Sequence, residues 1–280
     1  MSASIMSGKE LAAEIRAETA DRAAKLAAAG TQPKLAVVVA TADESSAWYV
    51  RSIARAAEKV GIVCDIVDLG ADASADAIRT TLAELSADER THGIILQTPL
   101  PGGAALEDLA SAISPDKDVD GANPLSLGRL AAGLTAFAPA TAEAVVAILD
   151  HHKVDLHGRH AVVVGRSTVV GKPAAHLLLD RHATVTICHS RTRDLAAVTA
   201  QGDVLVAAVG RAGLITGEHV KPGAVVVDVG TNPTDSGDLV GDVDASSALE
   251  RAAAITPVPG GVGPVTTALL LRHTVQAATR

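Results

Sequence analysis

Two patterns of hydrophobic positions alternate along the chain almost from end to end. Short runs rich in Val and Ile are nearly continuous in apolar residues, as in LAVVVA (35–40), IVCDIVDL (62–69) and GIILQ (93–97). Such runs suit parallel strands covered on both faces, where neither side of the pleat meets water. Between them, apolar residues recur three and four positions apart, the period of a helix with one buried face. The spacing predicts a first helix that opens at Ser7-Gly-Lys-Glu10, a sequence with the form of a capping box, and ends near Gly30. Further helices are expected over about 45–60, stopped by Gly61, and over about 74–87.

After Gln97 the texture changes to the turn-rich segments TPLPGG and SPDKDVDGANP. Long irregular segments in compact domains are disproportionately functional. A helix over about 141–151 leads to a second series, with strands at HAVVVG (160–165), TVTIC (184–188), VLVAAV (204–209) and AVVVDVG (224–230). A last helix is expected over about 266–278. The chain is therefore read as α/β, with two α/β domains flanking a cleft. Residues 1–139 form the first domain, with 266–280 packing back on it; residues 140–265 form a Rossmann-like doubly wound parallel sheet.

Composition changes this picture little but narrows the partners. At 280 residues there is length for two domains, and the 48% of hydrophobic residues, mostly Ala and Val, implies an interior of small side chains. A formal net charge of −8 without any basic block argues against nucleic acid or an anionic membrane surface. No apolar run approaches the roughly 20 residues that span a bilayer, and MSASIMSGKE lacks the pattern of a secretory signal. Two cysteines, Cys64 and Cys188, cannot make a disulfide framework and are expected reduced. A soluble, cytoplasmic protein is expected.

Candidate chemistry begins in the second series. VVVGRSTVVGKP (162–173) places Gly165 after a strand and Gly171 at the next helix start, one residue further apart than the outer glycines of G-x-G-x-x-G. Glycines there let a strand turn sharply into a helix whose free N–H groups can meet a phosphate. The next strand ends in His189-Ser190-Arg191-Thr192-Arg193, with no acidic residue to hold ribose hydroxyls. Hydroxyl and guanidinium groups suit a 2′-phosphate, which favours NADP; a solvated basic turn is the alternative. His151, His152, His157 and His160 crowd one region, but with Asp150 and Asp155 they complete no metal-ligand spacing. They are read as a solvated linker, and no metal is expected. DESSAWYVRSI (43–53) holds the chain's single Trp and single Tyr, as core packing or as a ring platform for a flat ligand.

Together LQTPLP (96–101), DKDVDG (116–121), VVGRSTVVGKP (163–173), CHSRT (188–192) and TPVPGGVGPVT (256–266) resemble one family, in order and over nearly the whole chain. It is that of the 5,10-methylenetetrahydrofolate dehydrogenase/cyclohydrolases of one-carbon metabolism. The resemblance implies a folate-binding domain, an NAD(P) domain and commonly a homodimer. By position it implies that Tyr49 lies along the folate rings, Gln97 faces the reacting centre and Asp120 clamps the pterin. Pro257, Gly260 and Gly261 would border substrate and nicotinamide, and Arg166 and Ser190 would meet the 2′-phosphate. Thr141, Gly165, Ser167, Val170, Gly171, Arg191 and Thr231 would complete the cofactor surface.

Residue chemistry runs parallel to this. The amino-pyrimidinone edge of a pterin presents parallel donors that one carboxylate can accept. Asp116, Asp118 and Asp120 all qualify, or all three lie on a solvated turn; only the family pattern singles out Asp120. With Tyr49 as platform, Trp48 is expected to pack behind it. One departure matters. The family's pattern is Tyr-x-x-x-Lys, with the Lys its main acid–base residue, and here Ile53 stands four positions after Tyr49, on the same helix face. Arg51 points nearly opposite, and Arg55 and Lys59 lie off that face. PATAEA (139–144) replaces a Pro-Cys-Thr-Pro-x-Gly segment, and GANPLSLGRL varies a His-Pro segment. The expected activity is NADP-dependent oxidation of 5,10-methylenetetrahydrofolate to the 5,10-methenyl form, with hydrolysis to 10-formyltetrahydrofolate weak or absent. A paralogue acting on another cyclic imine-type substrate, or a non-catalytic folate- or nucleotide-binding protein, is the alternative.

Overall fold

The computed structural model describes residues 3–234 and 236–280. From the amino end the elements are β1 (Ser4–Ile5), α1 (Lys9–Ala28), β2 (Lys34–Val39), α2 (Glu44–Lys59), β3 (Val63–Asp68), α3 (Ala75–Ala87), β4 (Gly93–Leu96), α4 (Leu106–Ala110) and α5 (Pro124–Ala131). They continue as α6 (Ala140–His151), β5 (His160–Val164), α7 (Gly171–Leu179), β6 (Thr184–Cys188), α8 (Leu195–Thr199) and β7 (Val204–Ala207). The chain finishes with β8 (Val225–Asp228), β9 (Asn232–Pro233), β10 (Leu239–Val240), α9 (Ala245–Ala248), β11 (Ala254–Ile255) and α10 (Val262–Ala277). Two compact units result: residues 13–140 with 267–280, and residues 141–266 with the stretch that ends at Ala12.

The first of these units is built on a parallel sheet of order β3-β2-β4. Central β2 is buried from Leu35 to Val39 and β4 along its whole length, as continuous apolar runs require. Edge strand β3 departs from that reading, because Val63 and Ile66 are exposed. Helix α2 starts where the Asp43 carboxylate accepts the Ser46 N–H at 2.7 Å. It buries Ser46, Val50, Ile53 and Ala57, a spacing of four, three and four that marks one stripe. Trp48 falls off that stripe and is 61% exposed, so it does not pack behind Tyr49. An aromatic is not drawn inward when its helical angle points it to water.

The other unit carries a six-stranded parallel sheet of order β1-β11-β8-β7-β5-β6. Val162, Val164, Leu205, Ile215, Val226 and Ile255 belong to its buried cluster. Chain order reverses between β5 and β7, since β6 lies on one side of β5 and β7 on the other. Such a switch point is where open α/β sheets leave a crevice for ligands, beyond the carboxyl ends of the strands. The units change at residue 140, beside the expected 139, but the amino-terminal stretch, expected in the first domain, lies with the six-stranded sheet. Ser4 N–H donates to Ala253 O and Met6 N–H to Ile255 O, each at 2.8 Å, so β1 extends this sheet and not the other. A strand of two residues has no periodicity to read in advance. Among the described residues no helix is long and apolar enough to cross a membrane.

Candidate active site

The residues singled out in the three-stranded unit lie just after β4, on α2 and in the loop between α4 and α5. Gln97 follows β4, its N–H donating to Val38 O at 2.9 Å and its Nε2 to Thr98 O at 2.6 Å. Thr98 O also accepts the Ser46 hydroxyl at 3.1 Å, which ties this loop to the first turn of α2. Tyr49, one turn further along α2, is half-buried with its hydroxyl at the enclosed end, bonded to Thr267. Loss of solvation, and then the nearby Asp120, push its phenol up to about 12. Ile53 is fully buried on the same face. No proton can be exchanged there.

The three candidate carboxylates separate cleanly. Asp116 is exposed and paired with Arg280 at 2.6 Å. Asp118 is 0% exposed and accepts Ala122 N–H at 2.9 Å, Asn123 N–H at 2.9 Å and the Ser126 hydroxyl at 2.6 Å, so it fastens its own loop. Asp120 is half-buried by area, yet its carboxyl is enclosed and accepts the Ala140 N–H. Burial first, and the adjacent Asp118 second, push it up to about 7, with His273 pulling the other way. The loop is gripped from α10: buried His273 Nδ1 lies 2.8 Å from Val119 O, and its ring packs on Phe137 at 5.1 Å between centroids. The Arg280 guanidinium lies over the same Phe137 ring, 4.8 Å from its centroid. Sequence reasoning missed Thr267 and His273; nothing local links Thr267 to Tyr49 on α2, or His273 to a loop 154 positions away.

In the six-stranded unit the glycine turn is set by close approach of backbone to backbone. Gly165 has φ +131 and donates its N–H to Cys188 O at 2.9 Å; a Cβ on it would collide with Ala208 O. A Cβ on Gly171 would collide with Gly165 O. Ser167 Oγ accepts the Val170 N–H at 3.2 Å and the Gly171 N–H at 3.4 Å at the start of α7, while Arg166 stays exposed. After β6, His189 N–H bonds Thr192 Oγ1 at 2.8 Å and Arg191 N–H bonds His189 Nδ1 at 3.1 Å, which leaves Ser190 and Arg191 exposed. The nearest carboxylate, Asp194, is spent on capping α8 through Ala197 N–H at 3.2 Å. The exposed side chains at the two strand ends thus include the cations Arg166 and Arg191 and the hydroxyl of Ser190, with Asp194 turned to its helix. These residues fit NADP.

The other predicted positions in this unit are spread over two loops and a helix. Gly260 O accepts the Gly8 N–H at 2.9 Å, and a Cβ on Gly261 would meet Pro257 O at 2.6 Å, so the 257–261 stretch is closely packed. Thr141 is half-buried on α6, and Thr231 is exposed just before β9. The histidines find separate partners: His152 Nε2 lies 3.0 Å from Ser7 O, and His160 Nε2 lies 2.9 Å from Thr186 Oγ1. Among the described residues no group of His, Cys, Asp and Glu is arranged to hold a metal ion. Two buried carboxylates that sequence reasoning passed over are Asp228, the last residue of β8, and Asp242, just beyond β10.

Comparison with known proteins identifies the family. Residues 6–120 match the sequence profile of the tetrahydrofolate dehydrogenase/cyclohydrolase catalytic domain, and residues 139–280 that of the NAD(P)-binding domain of the same enzymes. The chain is 69% identical over 275 residues to Bifunctional protein FolD 1 of Saccharopolyspora erythraea, covering 98% of this chain and 94% of that one. Among solved structures, the bifunctional FolD methylenetetrahydrofolate dehydrogenase/cyclohydrolase of Campylobacter jejuni superposes with a TM-score of 0.95 at 38% identity, over 99% of this chain and 98% of that one. The Trypanosoma brucei enzyme, solved with NADP cofactor and an inhibitor, gives 0.94 at 37% identity, over 100% of this chain and 98% of that one.

Proposed function

The chain belongs to the tetrahydrofolate dehydrogenase/cyclohydrolase family, and from that premise we propose that it oxidises 5,10-methylenetetrahydrofolate to the 5,10-methenyl form with NADP, and hydrolyses the product poorly. The observation that carries the second half is Ile53, fully buried one helical turn from Tyr49. Bound NADP supplies the hydride acceptor. The glycine turn at 165–171 leaves room for its phosphates, and Arg166, Ser190 and Arg191 favour the 2′-phosphate over a bare ribose. In the other unit the Asp120 carboxylate accepts donors from the pterin edge, the Tyr49 ring lies along the folate, and Gln97 faces the one-carbon bridge.

Oxidation moves a hydride from the bridging carbon and leaves a cation shared with the folate nitrogens. No proton leaves that carbon in the step, so the chain's task is positioning and exclusion of water. Ile53 serves both ends of that task, being apolar and unable to deliver a base. Hydrolysis of the methenyl product is different, because a water must lose a proton as it attacks and a ring nitrogen must gain one. General acid–base help for such a step is typically worth about a hundredfold to ten-thousandfold in rate.

The test follows two products at once. Purified protein with methylenetetrahydrofolate and NADP should form NADPH while methenyltetrahydrofolate accumulates in step with it, and NAD should serve much less well. Hydrolysis keeping pace with NADPH formation would overturn the reading of Ile53; equal use of NAD would overturn that of the 2′-phosphate residues. We read the enzyme also as a cytoplasmic homodimer, on the family resemblance; light scattering on the purified protein checks the assembly.

A further inference from the structure

The turn that leaves β7 is held from inside by one carboxylate. Asp242 is wholly buried. Its Oδ2 accepts the N–H of Val209 at 2.6 Å and of Gly210 at 2.9 Å, and its Oδ1 accepts the N–H of Arg211 and the Asn232 amide, both at 2.9 Å. Three successive N–H groups converging on one anion make a nest of the kind that elsewhere takes a phosphate. Here the chain fills the nest itself.

Asp242 is fixed in its turn. Its own N–H donates to Asp228 Oδ1 at 2.9 Å, and the Asp228 carboxylate also accepts Gly230 N–H at 2.9 Å and Val243 N–H at 3.0 Å. Gly230 and Gly241 have no room for a Cβ, because the two carboxylates occupy that space. The ends of β7 and β8 and the 241–243 stretch are therefore tied together through two buried aspartates.

The place of this tie in the sheet gives it a use. The 209–211 turn leaves β7 on one side of the switch point, and Ala208 O is the atom against which Gly165 packs from the other side. Of the candidate 2′-phosphate residues, Arg166 follows β5 itself, while Ser190 and Arg191 lie beyond it at the end of β6. Turn 209–211 thus lies on the opposite side of β5 from Ser190 and Arg191.

We propose that Asp242 is a positioning residue for the dinucleotide, holding the Val209–Arg211 turn and Asn232 in the shape against which the shared part of NADP and NAD docks. This rests on the reading of the six-stranded unit as the NADP-binding one. Asp242 acts through the turn and touches no reacting atom. Removing its carboxylate leaves three N–H groups without their acceptor, and the turn loses the geometry they imposed.

The experiment compares the full-length wild type with Asp242→Ala and Asp242→Asn. Binding of NADP, NAD and tetrahydrofolate is measured by calorimetry, and folding by thermal melts. Asp242→Ala should lose about tenfold or more in affinity for NADP and NAD alike, with tetrahydrofolate affinity held within about twofold. Excess formate, a carboxylate small enough to enter the emptied nest, should restore dinucleotide affinity where chloride at equal ionic strength does not. A merely destabilised fold would not give that selective rescue. If Asp242→Ala does not fold, Asp242→Asn carries the test: its one remaining acceptor should give a smaller loss, again equal for both dinucleotides. A folded variant that binds both as the wild type does overturns the positioning role, as does a loss confined to NADP or one shared with tetrahydrofolate. A wild type that binds neither dinucleotide overturns the parent reading and this role with it, a distinguishable result.

Discussion

At the scale of single residues, Asp120 and Ile53 set opposite proton behaviour on neighbouring surfaces of one unit. With its carboxyl raised to about 7, Asp120 is largely protonated in the free protein at mildly acidic pH. A pterin edge offers donors and so needs the ionised form, which means that binding must release a proton. Tetrahydrofolate affinity should therefore rise with pH, by up to about tenfold per unit below 7, and level off above it. Stability has the opposite sign. A raised carboxyl contributes stability that is complete below the ordinary carboxylate range and is lost as pH climbs through about 7. Asp120→Asn should remove both slopes, and calorimetric titrations with parallel melts across that range check them; a wild-type affinity flat with pH would place the donors on another group. Ile53→Lys puts an ammonium into a fully buried position, which should lower the melting temperature and depress the lysine toward a useful value. Methenyl hydrolysis should then rise by at least about tenfold, with a smaller change in NADPH formation. A folded variant that binds folate and gains no hydrolysis would show that the surrounding pocket serves a different chemistry.

Between elements, close approach of backbones matters more than the side chains nearby. The β5–α7 turn exists because Gly165 and Gly171 let one stretch of chain lie directly on another. A Cβ on Gly171 would meet backbone, which cannot swing aside as a side chain can. Gly171→Ala should therefore cost about 2 kcal/mol or more and weaken NADP binding with it. The same change at Gly128 in α5, where a Cβ meets nothing within 4 Å, should stabilise by roughly 0.5–1 kcal/mol through helix propensity alone. Denaturant melts of the two variants should move in opposite directions; a shift of the same sign in both would mean that the crowding at Gly171 is relieved elsewhere.

For the molecule as a whole, the order of elements along the chain is not their order in space. The amino-terminal stretch joins the six-stranded sheet through Ser4 and Met6, whose N–H groups bond carbonyls of the 253–255 segment, while most of α1 belongs to the other unit. Hydrogen exchange should report this division. On addition of NADP, the Ser4 and Met6 amides should gain protection together with those of β8 and β11, and the amides of β2 and β4 should change less. Protection of Ser4 and Met6 that follows tetrahydrofolate instead would assign the terminus to the wrong unit.

Periodicity and backbone freedom are local properties, and what rests on them was legible in the chain. The strands β2, β4, β5, β7 and β8 lie where continuous apolar runs stand, α2 lies over the stripe of its three- and four-residue spacing, and the tight β5–α7 turn falls on its two glycines. Absence of an acidic residue after β6 is equally local, and with it the preference for NADP. Other features depend on what a residue meets far along the chain, which no local pattern encodes. Three aspartates in DKDVDG are alike in sequence; only packing against Ser126, the 122–123 backbone and α10 makes Asp118 a fastener and leaves Asp120 enclosed with its carboxyl raised. Trp48 and Tyr49 are adjacent in sequence, yet a step of about 100° around the helix sends one into water and brings the other to Thr267. Asp242 illustrates the limit most plainly, because a carboxylate becomes a brace only when the fold carries three N–H groups from some thirty positions away to surround it.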